Sequence, residues 1–155
     1  MARKPNYGGT TGTTMVVTLN EDIVINNMQY GSVQRCSVKN IRNVSRRIVA
    51  VPTATNGAQV YAGAAAASIG THVSTGVKYI RITNLDVENS VILHIEGNSH
   101  YVQHELEAGR SYVLGKTLSL DNANDIDSYS AETITKIDAK AISSTVDVEV
   151  FIAEG

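Results

Sequence analysis

The residues best suited to chemistry lie in one short stretch, where His94, His100 and His104 stand near Glu96 and Glu105. Read as a helix, the segment from His100 to His104 would set two imidazoles one turn apart, the spacing that zinc sites use. Gly97-Asn98 just before it, and the alternation through it, predict a strand instead, in which positions four apart lie about 13 Å from each other. Metal ligands at about 2 Å cannot be shared over that span, and in the same pairing His94 turns to the opposite face. Sheet or interface histidines are therefore expected, and no metal site. Asp121, Asp125 and Asp127 offer carboxylates for calcium, but the Gly and terminal Glu of a calcium loop are missing, so an acidic solvated loop is expected there. GGTTG, residues 8–12, lacks the lysine of a phosphate loop. Cys36, the only cysteine, lies between Arg35 and Ser37 in neither a metal nor a nucleophile motif and reads as a small hydrophobe. No serine has a base in a recognisable arrangement. The sequence predicts no catalytic residue, no cofactor and no metal, and an enzyme is the weakest expectation.

Charge offers a second kind of site. The net charge is −2, yet residues 1–50 carry Arg3, Lys4, Arg35, Lys39, Arg42, Arg46 and Arg47 against only Glu21 and Asp22. Such a split fits either a basic surface that meets an acidic partner, for which these seven residues are the candidate interface, or charge scattered and solvated over a two-sided sheet. No aromatics are interleaved with them, so stacking on single-stranded nucleic acid is not expected. With 43% apolar and 18% charged residues in 155, the chain is neither disordered by composition nor a membrane protein. Its length suits one domain that buries roughly two-thirds of its unfolded surface. The N-terminal segment has no apolar run behind its basic residues and is not expected to be a signal peptide.

The elements that must position these residues are strands. Residues 1–14, rich in Gly and Thr after Pro5, read as a flexible arm, and residues 15–155 as a single domain. Strand-like segments begin at Met15–Leu19 and Asp22–Asn26. Residues 28–43 lack clean alternation, and a strand over Val44–Val51 stops at Pro52. Small residues from Pro52 to Gly76 suggest a loop or an irregular strand. Alternation then sharpens. Val77–Asn84 sets Ile80 and Ile82 against Val77, Tyr79, Arg81 and Thr83. Val91–Glu96 turns at Gly97-Asn98 into Tyr101–Leu106, with Val91, Leu93 and Ile95 facing His104, Val102 and His100. Gly109 makes a turn before Tyr112–Leu114. The C-terminal stretch reads as a hairpin about Ser143-Ser144, pairing Thr135, Ile137, Ala139 and Ala141 with Ile152, Val150, Val148 and Val146 on an inward face. Lys140 then lies opposite Asp147, and the outward-facing Glu149 is expected to tolerate substitution. The fold class is all-β, an antiparallel β-sandwich or its jelly-roll form.

The segments KYIRITNLD (78–86), SVILHI, LEAGRSYVL (106–114) and ITKIDAKA…VDVEVFIAE together resemble small virion structural proteins of tailed bacteriophages, marine and cyanobacterial ones above all. In those, an I-x-N-L strand end, an L-x-x-G-x-S turn and an I-x-A closing strand recur in β-sandwich subunits. The resemblance covers residues 77–155 and leaves 1–76 without a counterpart. It implies a capsid decoration (cement) protein that binds the major capsid protein or another virion protein. It further implies a homo-oligomer, a trimer above other numbers, located in the virion and engaging neither nucleic acid nor membrane. A carbohydrate-binding or host-adhesion module of the tail or fibre is the alternative, opposed by the absence of Trp.

Overall fold

The computed structural model describes residues 12–66, 68–115, 117–119 and 131–155. The chain gathers into two compact units that meet in sequence at Arg42, the second being Asn43–Glu154. Every regular element among the described residues is a strand.

The first unit holds β1 (Thr13–Glu21), β2 (Val24–Ile25), β3 (Met28–Gln29) and β4 (Ser32–Ile41). One antiparallel register runs through all of them, from Met15↔Val38 past Glu21↔Ser32 to Val24↔Gln29 and Ile25↔Met28. The Tyr30 N–H donates to the Ile23 carbonyl at 2.8 Å and keeps the ladder continuous between β1 and β2. The four strands are thus one long hairpin. Its tip is Asn26-Asn27, with φ of 53° and 62°, the left-handed pair of a two-residue hairpin turn, which asparagine adopts more readily than other side chains. Of the expected arm over 1–14, residues 1–11 lie outside the described residues, and Thr13 and Thr14 already belong to β1.

The second unit contains β5 (Asn43–Val51), β6 (Ala58–Ala64), β7 (His72–Val73), β8 (Val77–Asn84), β9 (Val91–Glu96), β10 (Tyr101–Leu106), β11 (Ser111–Leu114), β12 (Thr117–Ser119), β13 (Ala131–Thr133), β14 (Lys136–Ala141) and β15 (Val146–Glu154). One sheet has the order β10-β9-β14-β6-β7 and the other β11-β8-β15-β5, while β12 and β13 form a separate two-stranded pair. The pairing is nested: β5 with β15, β6 with β14, β8 with β11, and innermost β9 with β10. Only the innermost pair is a hairpin of consecutive strands. The all-β sandwich of antiparallel sheets expected from the alternation is what forms.

The C-terminal hairpin does not form. β14 pairs with β6 and β9, and β15 with β5 and β8, so the chain between them crosses from one sheet to the other. The inward face is as read except at its start, where Thr135 precedes the strand and is only half-buried: Ile137, Ala139, Ala141, Val146, Val148, Val150 and Ile152 are all buried. A strand that lines a core shows the same period-two pattern whether its successor lies beside it or across from it. These residues join Val51, Val60, Ile80, Ile82, Val91, Leu93 and Ile95 in one core, each buried Val or Ile contributing about 1.5–3 kcal/mol.

The β9–β10 hairpin forms two residues out of the expected register, with Leu93↔His104 and Ile95↔Val102. Its connection is residues 97–100, closed by the Gly97 N–H donating to the His100 carbonyl at 2.8 Å. The small-residue segment after Pro52 supplies a true inner strand, β6, whose Val60 and Tyr61 are buried. At its start Gly57 has φ +58°, and a Cβ there would lie 2.1 Å from the Ala139 carbonyl oxygen, a place only glycine fills.

Candidate interaction surfaces

The hairpin of the first unit is amphipathic. Residues directly opposite share a face, so Met15/Val38, Val17/Cys36, Leu19/Gln34, Glu21/Ser32, Ile23/Tyr30 and Ile25/Met28 line one side. The sole charge on that side, Glu21, accepts a hydrogen bond from Ser32 Oγ at 2.9 Å. Leu19, Ile23, Ile25, Met28 and Tyr30 are 50–59% exposed. The other side carries Thr18, Asn20, Asp22, Gln29, Arg35 and Ser37, with Val16, Val24 and Val33 among them. Two strands alone bury little, and an isolated hairpin is at best marginal in water.

The three histidines of the sequence reading are kept apart by the sheet. His94 stands on the outer face of the five-stranded sheet, opposite Gln103 and Asp138, its ring tilted on Tyr101 with centroids 4.9 Å apart. His100, in the turn, bonds Glu132 at 2.8 Å through Nδ1. That bond, with the Ser99 N–H, holds the Glu132 carboxyl below its ordinary range. His104, opposite the core residue Leu93, stacks on Tyr112 at 4.4 Å and closes the gap between the edges of the two sheets. Among the described residues no group of three His, Cys, Asp or Glu converges as metal ligands would. Asp121, Asp125 and Asp127 lie outside the described residues.

Around His94 the outer face dips into an open groove of about 670 Å³ lined by Gln59, Ile92, Gln103, Lys136, Asp138 and Lys140, among others. Lys136 binds Asp138 at 2.7 Å and Glu96 at 3.4 Å, and these contacts, Asp138 first, raise its pKa against the desolvation of its site. Lys140, expected opposite Asp147, lies instead across from Ile92.

The described members of the basic set are divided between the two units. Arg3 and Lys4 lie outside the described residues. Arg35 and Lys39 sit on β4 and Arg42 ends the first unit, whereas Arg46 and Arg47 stand on β5 in the second. Arg47 turns inward and donates to the Val60 carbonyl at 2.7 Å. Arg46 Nε donates to Glu149 at 2.7 Å, and Arg81 grips the other Glu149 oxygen. Glu149 is therefore buried at 7% exposure on the outer face of the four-stranded sheet, not the free position expected of it. The Arg46 hydrogen bond first, then both guanidinium charges, holds its carboxyl below the ordinary 4.5 despite desolvation. Arg81 also lies over the Phe151 ring, 5.5 Å from its centroid.

A further polar cluster escaped the sequence reading. His72 Nδ1 lies 2.6 Å from Glu154, whose other oxygen accepts from Asn43 Nδ2 at 3.2 Å, and the His72 ring stacks on Tyr61. Burial and then the Glu154 charge push the Tyr61 hydroxyl up to about 12. These residues are far apart in sequence, and only the alignment of β5, β6, β7 and β15 brings them together. The chain matches no family model, no curated protein and no solved structure.

Proposed function

We propose that this chain is a non-enzymatic structural protein of a phage virion, a decoration protein that binds and stabilises the head shell as a homo-oligomer. The observation that carries this reading is the pairing of a closed sandwich with a ribbon whose apolar side chains stand exposed, from Leu19 to Tyr30. Such an element is completed by a protein partner and has no use in a small-molecule site. The nested strand order adds support. We read it as a jelly roll, a double-sheet form used by viral capsid proteins and lectins. The decisive experiment is stoichiometry on particles. A shell-decorating protein sediments with virions at a copy number tied to the capsid lattice; a few copies per particle, or none, refutes the assignment.

The groove beside His94 favours one second reading, a glycan-binding module on the same scaffold. Amide, carboxylate and ammonium groups converge there, next to Tyr101, which is 66% exposed and can stack on a sugar ring. Titration with oligosaccharides, following Tyr101 by NMR, tests it; no shift at millimolar sugar removes it.

A further inference from the structure

We propose that the apolar face of the residue 13–41 ribbon is covered by the same face of other copies of this chain, wound about a common axis. This deepens the homo-oligomer part of the reading above by naming the element that makes it. The occupant follows from what the face lacks and from its shape. Between Met15/Val38 and Ile25/Met28 its only charge, Glu21, is already hydrogen-bonded within the ribbon to Ser32. A covering surface must therefore be apolar, uncharged and long, and the ribbon itself presents one. Shape narrows the choice further. A two-stranded ribbon twists strongly in a fixed hand, so its stripe winds around the axis, and an identical stripe of the same pitch can follow it along the whole length. Strand rise and spacing give the face roughly 33 Å by 10 Å, about 330 Å² per copy. Two such faces bury well under the ~1,200 Å² of a small specific interface. A closed ring in which each ribbon meets two others comes nearer that range, because every copy adds a face to one shared core.

Cys36 supplies the readout. It is the only cysteine, it lies on the apolar face opposite Val17, and it is exposed in the single chain. In the oligomer its reaction with a maleimide should slow at least tenfold, and dilution should restore the rate as the mass measured by light scattering falls to one chain. Leu19→Lys and Ile23→Lys, on the apolar face, should each give a monomer with a fast-reacting Cys36. Asn20→Lys and Gln29→Lys, on the other face, should leave mass and rate unchanged. A monomeric wild type with freely reactive Cys36 overturns the proposal. So does an oligomer that persists in both apolar-face variants, or one that the other-face variants dissolve equally well. The wild-type dilution series needs no variant to fold. Because all readings are made on isolated protein, failure to bind particles leaves this inference standing and strikes only the virion assignment.

Discussion

Replacing Glu149 by Gln isolates one carboxylate's charge while keeping its shape, and the structure sets the size of the effect. Glu149 is gripped by Arg46, whose side chain is 69% exposed, and by Arg81, at 36%. The Arg46 contact is close to the surface class and should contribute about 0.5 kcal/mol. The Arg81 contact is better shielded, and losing it strands a guanidinium whose Nε is already buried without a partner. With allowance for its exposure, that contact should contribute about 1.5 kcal/mol. The sum, about 2 kcal/mol, corresponds to a melting temperature lower by roughly 8 °C for a unit of this size. Folding lowers the Glu149 pKa, so the stabilisation is complete above the unfolded value near 4.5 and is lost as pH falls through the lower folded value. Melting wild type and Glu149→Gln at pH 7 and pH 3 tests both magnitude and sign. The gap at pH 7 should narrow at pH 3, as the folded carboxyl begins to take up its proton. A gap that is the same at both pH values, or none at pH 7, would falsify the argument. Glu149→Lys, which sets three cations together, should cost more than Gln at pH 7.

Val148→Asp places a charge at a position with no exposure and should cost several kcal/mol, enough to abolish soluble expression; Asp147→Lys, exposed on the same strand, should melt within about 0.5 kcal/mol of wild type. Asn84→Ala should lower stability by about 2 kcal/mol in urea titration, because Asn84 Nδ2 donates to the Asn89 and Leu106 carbonyls at 2.8 and 3.1 Å. Chelator treatment should leave the melting temperature unchanged; a fall, or stoichiometric metal by elemental analysis, would show a site that the separated histidines do not form. Neutralising Arg35 and Arg42 should weaken binding to empty particles more at low salt than at high, since exposed charges are screened beyond about 10 Å at 0.1 M; salt-independent loss would point to apolar attachment.

What the sequence revealed depended on whether a feature was local. Ile137, Ala139, Val148 and Val150 were legible as inward residues because alternation is written within a single strand. Their partners were not, because the same alternation suits a neighbour alongside and a neighbour across the core. Of the four nested pairs only β9–β10 joins consecutive strands, so local logic found that hairpin, though not its register, and failed at residues 143–144. The ribbon was missed for a different reason. Val33 on its polar side, with Ser32 and Gln34 on the apolar one, blurs the alternation over residues 28–41, and the surviving signal, Asn26-Asn27 between Ile25 and Met28, is weaker than Asn-Gly in the same place. Glu149 looked like a free surface residue since nothing in the sequence marks Arg46 and Arg81 as its neighbours across two strand pairings.

The residues that carry the phage-protein resemblance turn out to have structural work. Asn84, of the I-x-N-L segment, is fully buried; its N–H donates to the Arg110 carbonyl at 2.9 Å, and its Oδ1 accepts from the Asp86 N–H at 2.9 Å. Asp86 in turn accepts from the Glu88 and Asn89 N–H groups, first Glu88, which hold its carboxyl below the ordinary range. Gly109 of the L-x-x-G-x-S segment turns the chain at φ +72°. Together these residues tie the β8–β9 loop to the β10–β11 loop, a corner that any sandwich with this nesting must fasten. Contacts of this kind serve the fold and are silent on the partner. Under the proposed ribbon-mediated assembly, the choice of partner rests on residues 13–41. Grafting a foreign sandwich behind that ribbon should therefore carry the oligomeric state with it, while grafting the sandwich alone should not.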